Sequence, residues 1–134
     1  MIETTETLRV RFSETDAMGV VYHANYFPWF ELARTKLLAE IGLPYRDLQD
    51  AGFLLPVLEA QVFYKNSAKY DDEISVHAMM KTFPRARIRI DYEVRRGSDL
   101  LTTGYTVHAF MNRDGTAIRP PGFFLEKLSA AFSE

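Results

Sequence analysis

The chain has 134 residues, of which 47% are hydrophobic and 25% are charged, and its formal net charge is -2. This length and balance are typical of one globular domain with a sizeable core, and they argue against intrinsic disorder. A near-neutral charge without a block of Lys or Arg argues against a nucleic-acid binder. We therefore predict a single domain over residues 1–134 with no nucleic-acid partner.

The usual marks of membrane and secreted proteins are missing from the sequence. The longest run without a formal charge, residues 17–30, contains histidine, asparagine and proline and is shorter than the roughly 20 apolar residues of a membrane-spanning helix. The opening residues MIETTET are acidic and polar, unlike a secretory signal. The chain has no cysteine, which excludes disulfides and thiolate chemistry. We expect a cytoplasmic protein without a membrane partner.

The first predicted element is a strand over residues 5–12, where Leu8, Val10 and Phe12 alternate with polar residues. An amphipathic helix follows, because apolar residues recur at spacings of three and four, at Tyr26, Phe30, Ala33, Leu37 and Ile41. Asn25 is placed as its N-cap, and Gly42 is placed at its end. The segment PYRDLQDAG predicts a short second helix that ends at Gly52.

Four more strands are predicted between turn-forming segments, over residues 53–64, 73–83, 87–96 and 100–112. Short hairpin connections make this sheet antiparallel. The closing segment RPPGFFLEKLSAAF predicts a loop with a helical turn. One long helix can bury its apolar side only if the sheet curls around it. We therefore predict an α+β fold, with a five-stranded antiparallel sheet wrapped around one long central helix.

Metal and nucleotide chemistry find no support in the sequence. The histidines His23, His77 and His108 lack metal-ligand spacing, and His77 and His108 are predicted on polar or subunit-contacting sheet faces. No G-x-S-x-G elbow, P-loop or G-x-G-x-x-G motif is present. We predict no metal site.

Asp16 is the candidate catalytic residue, because its position in the sequence favours a negative charge. It follows the first strand, lies near Gly19 and precedes the predicted helix start, where unpaired N–H groups and the positive end of the helix dipole attract negative charge. Such a position can hold a reactive carboxylate and stabilise an oxyanion. Asp16 can equally cap a turn, and spacing alone leaves both interpretations open.

The segment RFSETDAMGVVYHANYFPWFELAR resembles the signature of 4-hydroxybenzoyl-CoA thioesterases and YbgC-like acyl-CoA thioesterases. That signature has an Asp, a Gly three residues later, then a His or an aromatic residue, and an Asn and a Tyr that lead into the central helix. The turn NSAKYDDEI and the later strand order match as well. The resemblance implies a hotdog fold that assembles as a homodimer or homotetramer. It also implies hydrolysis of an acyl-CoA to a carboxylic acid and coenzyme A, without a cofactor.

The resemblance also implies roles for individual residues. Asp16 would act as nucleophile or general base, and the backbone N–H of His23 would polarise the thioester carbonyl. Gly19 would permit a close turn, and Asn25 would cap the helix. One carboxylate and one oriented dipole can suffice for a thioester, because its carbonyl is electrophilic and thiolate leaves readily.

Substrate contacts are predicted from residue type and position. Tyr22 and Tyr26 are candidates for the acyl pocket, although aromatic residues at a helix start also serve as core. Glu59 and Tyr64 lie on opposite faces of their strand, so at most one of them enters a given pocket. The phosphates of coenzyme A need local cations, for which the candidates are Lys65, Arg85 and Arg87.

Three other functions stay open at this point. One is a purely structural assembly protein, although it would have no need of the carboxylate and the helix entrance. A hotdog dehydratase would also bind acyl thioesters, although that chemistry pairs a pocket histidine with a carboxylate. A non-catalytic acyl-CoA-binding module would bind the substrate without turnover. The choice of acyl group depends on a pocket at a subunit boundary, which periodicity does not describe.

Overall fold

The computed structural model describes residues 1–133, in which a long helix packs across one face of a five-stranded antiparallel sheet. The sheet order is β1-β4-β5-β6-β3, and a separate two-stranded sheet joins β2 to β7. In chain order the elements are β1 (Ile2–Arg9), α1 (Tyr26–Glu40), α2 (Tyr45–Asp50), β2 (Phe53–Leu54), β3 (Val57–Tyr64), β4 (Glu73–Met80), β5 (Ile88–Arg96), β6 (Asp99–His108), β7 (Met111–Asn112) and α3 (Gly122–Phe132). The predicted α+β architecture is confirmed.

The core lies between α1 and the sheet. Phe30 of α1 is fully buried, and its ring stacks on that of Tyr92 of β5 at a centroid distance of 4.2 Å. Beside this contact, a Cβ atom on Gly104 of β6 would lie 2.5 Å from the carbonyl oxygen of Gln61 and 2.9 Å from the Phe30 ring. A glycine is therefore needed where the helix approaches the sheet most closely.

The first strand differs from its prediction at both ends. β1 covers Ile2–Arg9, and its register with β4 runs from Ile2 opposite Met80 to Arg9 opposite Glu73. Phe12, which was predicted on the buried face, is 74% exposed and begins a short 3-10 turn. The pairing of β1 with β4 ends at Arg9. Val10 is nevertheless buried, so the apolar alternation continues in the sequence beyond the end of the strand.

Two predicted strands are each divided in the structure. Pro56 separates β2 from β3, because proline lacks the N–H that a sheet ladder requires. Residues 109–110 separate β6 from β7. β7 is not part of the large sheet and pairs with β2 instead. The helical turn predicted near the C-terminus is a full helix, α3, whose Phe124 packs against Phe110 at 5.0 Å.

Within residues 1–133, every helix is too short or too polar to span a lipid bilayer.

Candidate active site

Asp16 lies in a tight turn between β1 and α1. Its backbone N–H donates to the carbonyl of Val20 at 2.9 Å, and its own carbonyl accepts the N–H of Gly19 at 3.0 Å. Gly19 has a φ of +79°, the left-handed conformation that glycine adopts readily. The turn therefore requires the glycine that the motif places there.

The two carboxylate oxygens of Asp16 have different hydrogen-bonding environments. Oδ1 accepts the N–H of Met18 at 2.9 Å, which is the turn-capping contact anticipated from the sequence. Oδ2 accepts no hydrogen bond from residues 1–133. Capping of the turn thus leaves one basic oxygen available for chemistry.

The entrance to α1 presents an unpaired donor. A 3-10 turn, His23–Asn25, precedes the helix, and the backbone N–H of His23 has no acceptor among the residues that the structure describes. Amide hydrogens at a helix N-terminus carry partial positive charge that the helix dipole reinforces. The group is suited to stabilising a developing oxyanion.

Asn25 occupies the N-cap position of α1, but the predicted capping by its side chain is wrong. A capping residue has extended backbone angles, whereas Asn25 has φ -72° and ψ -9° because the 3-10 turn runs into the helix. Its Nδ2 instead donates to the carbonyl of Glu14 at 2.8 Å. Asn25 therefore ties the helix entrance to the loop that carries Asp16.

A cleft of about 240 Å³ opens beside these groups. It lies between the Asp16 turn, the start of α1 and the end of β3. Both apolar and polar side chains line it, and five of its lining residues were predicted from the sequence, namely Asp16, His23, Tyr26, Tyr64 and Lys65. The structure therefore brings the candidate carboxylate and the candidate oxyanion donor to one cavity.

Two tyrosines form an aromatic wall of the cleft. Tyr26 is 2% exposed and meets the Tyr64 ring edge-on at 5.4 Å, so Tyr26 belongs to the core as well as to the cleft. The Tyr64 hydroxyl donates to the carbonyl of His23 at 2.8 Å. Burial, aided by nearby Tyr26, raises the pKa of Tyr64 above its usual value, which keeps the phenol protonated as a donor.

Two other predicted residues lie outside this cleft. Tyr22 is exposed and its ring tilts against that of His23 at 4.4 Å. Glu59 is exposed on β3, five residues from Tyr64 and hence on the opposite face, as predicted. Of this pair only Tyr64 lines the cleft.

The three predicted phosphate-binding cations lie in two separate places within one chain. Lys65 lines the cleft, whereas Arg85 and Arg87 are exposed in the loop between β4 and β5. β5 runs from that loop to Arg96, whose Nη1 bonds the carbonyl of Ser67 at 3.4 Å beside the cleft. A nine-residue strand spans about 30 Å, so Arg85 and Arg87 lie at the opposite end of the sheet.

The remaining histidines occupy contrasting environments. His77 lies on the outer sheet face, where its Nε2 bonds Glu3 at 2.7 Å. His108, predicted on a polar or subunit-contacting face, is instead 1% exposed in the core, because β6 turns that face toward α1. Among residues 1–133, no group of three or more His, Cys, Asp or Glu side chains is arranged to hold a metal ion.

The sequence analysis did not identify Glu14 as a residue of the candidate site. It is 9% exposed, and its carboxylate binds the indole N–H of Trp29 at 2.8 Å. Its position two residues before Asp16 was the available signal, since an acidic residue leading into an apolar segment must find buried donors.

Comparison with known proteins agrees with this architecture. Residues 10–128 match the family model described as the Thioesterase-like superfamily. The acyl-CoA thioesterase YbgC of Haemophilus influenzae is 33% identical over 98 residues, which cover 71% of this chain and 71% of that protein. The crystal structure of DHNA-CoA thioesterase from Staphylococcus aureus matches with a TM-score of 0.90 and 33% identity over 99% of this chain and 90% of that one.

A crystal structure of a 4-hydroxybenzoyl CoA thioesterase mutant in complex with 4-hydroxybenzoyl CoA matches with a TM-score of 0.83, over 95% of this chain and 99% of that one. Its identity of 22% shows similarity of fold alone. Together with the thioesterase neighbours above, it confirms the predicted hotdog fold. The chain belongs to the Thioesterase-like superfamily, whose model covers it from the end of its first strand into its last helix.

Proposed function

We propose that this chain is an acyl-CoA thioesterase whose active site is the cleft between Asp16 and His23. The predicted reaction class is confirmed by the similar proteins, since YbgC of Haemophilus influenzae is an acyl-CoA thioesterase and the Staphylococcus aureus enzyme is a DHNA-CoA thioesterase. The assignment of residues rests on one observation. Asp16 has a carboxylate oxygen that accepts no hydrogen bond from residues 1–133, His23 has a backbone N–H without an acceptor among them, and both residues line the same cavity.

The geometry supports a short reaction sequence. The thioester carbonyl carbon is attacked either by Oδ2 of Asp16 or by a water that Oδ2 deprotonates. The N–H of His23, reinforced by the dipole of the 15-residue helix α1, stabilises the negative oxygen of the tetrahedral intermediate. Collapse of that intermediate breaks the C–S bond and expels the coenzyme A thiolate. In the general-base route this gives the carboxylic acid directly, and the proton that Asp16 took from water passes to the thiolate. In the nucleophile route it leaves a mixed anhydride on Asp16, which water hydrolyses to the carboxylic acid and the free Asp16 carboxylate. No residue in this scheme requires a cofactor.

The substrate is placed by the character of the cleft walls. The acyl group lies against the aromatic wall of Tyr26 and Tyr64, and Lys65 supplies positive charge for the phosphates of coenzyme A. Tyr22 contributes at the rim through its contact with His23. Arg85 and Arg87 lie at the other end of the sheet from the cleft of their own chain. They could therefore contact the phosphates only of a substrate bound to a neighbouring chain.

We also propose that the working unit is a homodimer joined along β3, with a homotetramer as a pair of such dimers. β3 is an edge strand of the large sheet, so its outward backbone groups lack a partner in the sheet. It also exposes large hydrophobic side chains at both of its ends, each about half exposed, at Val57, Leu58, Phe63 and Tyr64. Pairing here would bring a second chain close to the cleft. The absence of cysteine and the slight negative charge suit a cytoplasmic enzyme.

Replacement of Asp16 by asparagine tests the proposed function. We expect Asp16→Asn to lower kcat by about a thousandfold or more, because the amide keeps the shape of the carboxylate but loses its basic oxygen. Folding should be nearly unchanged, since the amide oxygen can still accept the N–H of Met18. The measurement is thiol release from a panel of short aliphatic, long aliphatic and aromatic acyl-CoA thioesters.

Asp50→Asn is the matched control, because Asp50 is an exposed aspartate at the end of α2. It should keep wild-type turnover. A wild-type protein that binds acyl-CoA but releases no thiol from any thioester would instead be a binding module. An unfolded Asp16→Asn variant would mean that the aspartate serves the turn rather than the reaction.

A further inference from the structure

Glu14 is a buried carboxylate that the reaction sequence does not use. Its Oε2 accepts the indole N–H of Trp29 at 2.8 Å, and its Oε1 accepts the backbone N–H of Arg11 at 2.8 Å. Trp29 lies in the first turn of α1 and is 1% exposed. The carboxylate therefore connects the loop after β1 directly to the central helix.

The backbone of the same residue makes two further connections. Its carbonyl accepts the N–H of Tyr22 at 2.9 Å and the Nδ2 of Asn25 at 2.8 Å. Tyr22 precedes His23 in the chain, and Asn25 follows it by two residues. Glu14 thus holds the segment on both sides of the candidate oxyanion donor.

We propose that Glu14 is a positioning residue that fixes the separation between the Asp16 carboxylate and the His23 N–H, an inference that rests on the proposed function. Asp16 lies two residues from Glu14 along the chain, so its backbone is placed by the bonds that Glu14 makes. Reactions of bound groups are sensitive to displacements of about 1 Å, which can cost a hundredfold in rate. Glu14 acts without touching the substrate.

The chemistry of the contacts requires an ionised carboxylate. The side chain of Glu14 has two hydrogen-bond partners, the backbone N–H of Arg11 and the indole N–H of Trp29, and both are donors. An ionised carboxylate offers an acceptor oxygen to each of them. Burial raises the pKa of Glu14, but the hydrogen bonds from Arg11 and Trp29 and the Arg11 guanidinium outweigh burial and leave that pKa below its usual value. Glu14 is therefore charged at neutral pH.

Glu14→Gln removes one acceptor while keeping the size of the side chain. The amide nitrogen would face an N–H donor, so one of the two bonds must break. We expect kcat to fall by about 10-fold to 100-fold. We expect KM to stay within about twofold of wild type, because Glu14 borders no part of the proposed substrate cleft. The matched control is Glu126→Gln, an exposed glutamate on α3, which should leave both constants unchanged.

Trp29 is the single tryptophan of the chain, so its fluorescence reports on the Glu14 contact without a label. In the wild type, emission should stay constant around neutral pH and shift as the pH falls through the lowered pKa of Glu14, when protonation removes an acceptor. Glu14→Gln should lack that acid step. A residue that merely filled space would not produce a titration that this substitution removes.

The outcomes separate this proposal from the proposed function. Absence of thiol release by the wild type would overturn the proposed function, and this role with it. An active wild type together with a folded Glu14→Gln variant of unchanged kcat would overturn this role alone. If Glu14→Gln does not fold, Trp29→Phe decides, since it removes the indole donor while keeping Glu14 and an aromatic ring at this buried position. We expect about a tenfold loss of kcat in that variant, and wild-type kcat would contradict the proposal.

Discussion

At the scale of residues, the candidate site is built as much from backbone as from side chains. The proposed oxyanion donor is the N–H of His23, and the side chain of that histidine is exposed. Hydrogen bonds from other segments hold this backbone in place, and one of them joins the Tyr64 hydroxyl to the His23 carbonyl. Residues predicted as substrate contacts can therefore act on the backbone as well.

Tyr64→Phe measures the contribution of that hydroxyl. The substitution removes one hydrogen bond to His23 and keeps the ring that packs on Tyr26. We expect kcat on a hydrolysed acyl-CoA to fall about 3-fold to 10-fold, the value of one ordinary hydrogen bond. Tyr70→Phe is the control, because Tyr70 is 58% exposed and packs on Phe12 outside the cleft. Equal rates in the two variants would show that the hydroxyl has no part in orienting the helix entrance.

At the scale of elements, α1 and β3 have unequal surroundings. α1 buries six residues against the sheet, whereas seven of the eight residues of β3 are exposed. β3 pairs with β6 on one side and ends the sheet on the other. An exposed, hydrophobic edge strand is a site of association with another chain unless something protects it. The proposed dimer provides that protection.

Ala60→Asp tests pairing along β3. Ala60 is exposed near the middle of the strand, so antiparallel pairing of β3 with its own copy would bring two like charges close together, which opposes association. Light scattering should give twice the chain mass of 15.4 kDa, or a multiple of that dimer, for the wild type and a larger share of single chains for the variant. Ala86→Asp, in the exposed loop after β4, should associate like the wild type. A monomeric wild-type protein would exclude this dimer.

At the scale of the whole molecule, a chain of polar groups crosses the core. Arg34 donates to the Tyr92 hydroxyl at 3.0 Å, and that hydroxyl shares a 2.7 Å hydrogen bond with Thr106. His108 then bonds Thr106 at 2.8 Å and the carbonyl of Leu55 at 3.2 Å. Burial, together with the Arg34 guanidinium, lowers the pKa of His108 to about 4. The folded protein therefore holds this histidine neutral.

The free energy of unfolding should fall as the medium becomes acidic. In the unfolded chain the pKa of His108 is about 6.5, so between that pH and its folded pKa of about 4 only the unfolded state takes up the proton. The stabilisation is present above about pH 6.5 and is lost progressively below it, by about 2–3 kcal/mol at pH 4.5. Urea unfolding at pH 7 and pH 4.5 measures this difference.

Two substitutions identify the group responsible for this acid sensitivity. His108→Gln removes the titrating side chain and should flatten the change in stability between pH 7 and pH 4.5. His77→Gln is the matched control, because His77 lies on the outer face of the sheet rather than in the core. An unchanged slope in His108→Gln would assign the acid sensitivity to other groups.

Local pattern was sufficient for much of the fold and part of the site. The strand predicted over residues 87–96 is β5, in which Ile88, Ile90, Tyr92 and Val94 alternate with more exposed residues, because the side-chain period of a strand is a local property. The helix over residues 26–40 followed from spacings of three and four. The motif around Asp16 led to the family and to Asp16 and His23, and residue type and position led to Tyr26, Tyr64 and Lys65; all five line one cleft.

The corrections to Asn25, His108 and Arg85 concern contacts between distant parts of the chain. Asn25 bonds Glu14 rather than the first turn of α1, His108 faces the core, and Arg85 lies across the sheet from the cleft. Which oxygen of Asp16 remains free also depends on the turn that surrounds it. By itself the sequence determined the elements, the family and the reactive residue types, because these follow from neighbours along the chain. Only the tertiary structure decided which donors and acceptors meet, because hydrogen bonds and burial depend on distances that the order of residues does not contain.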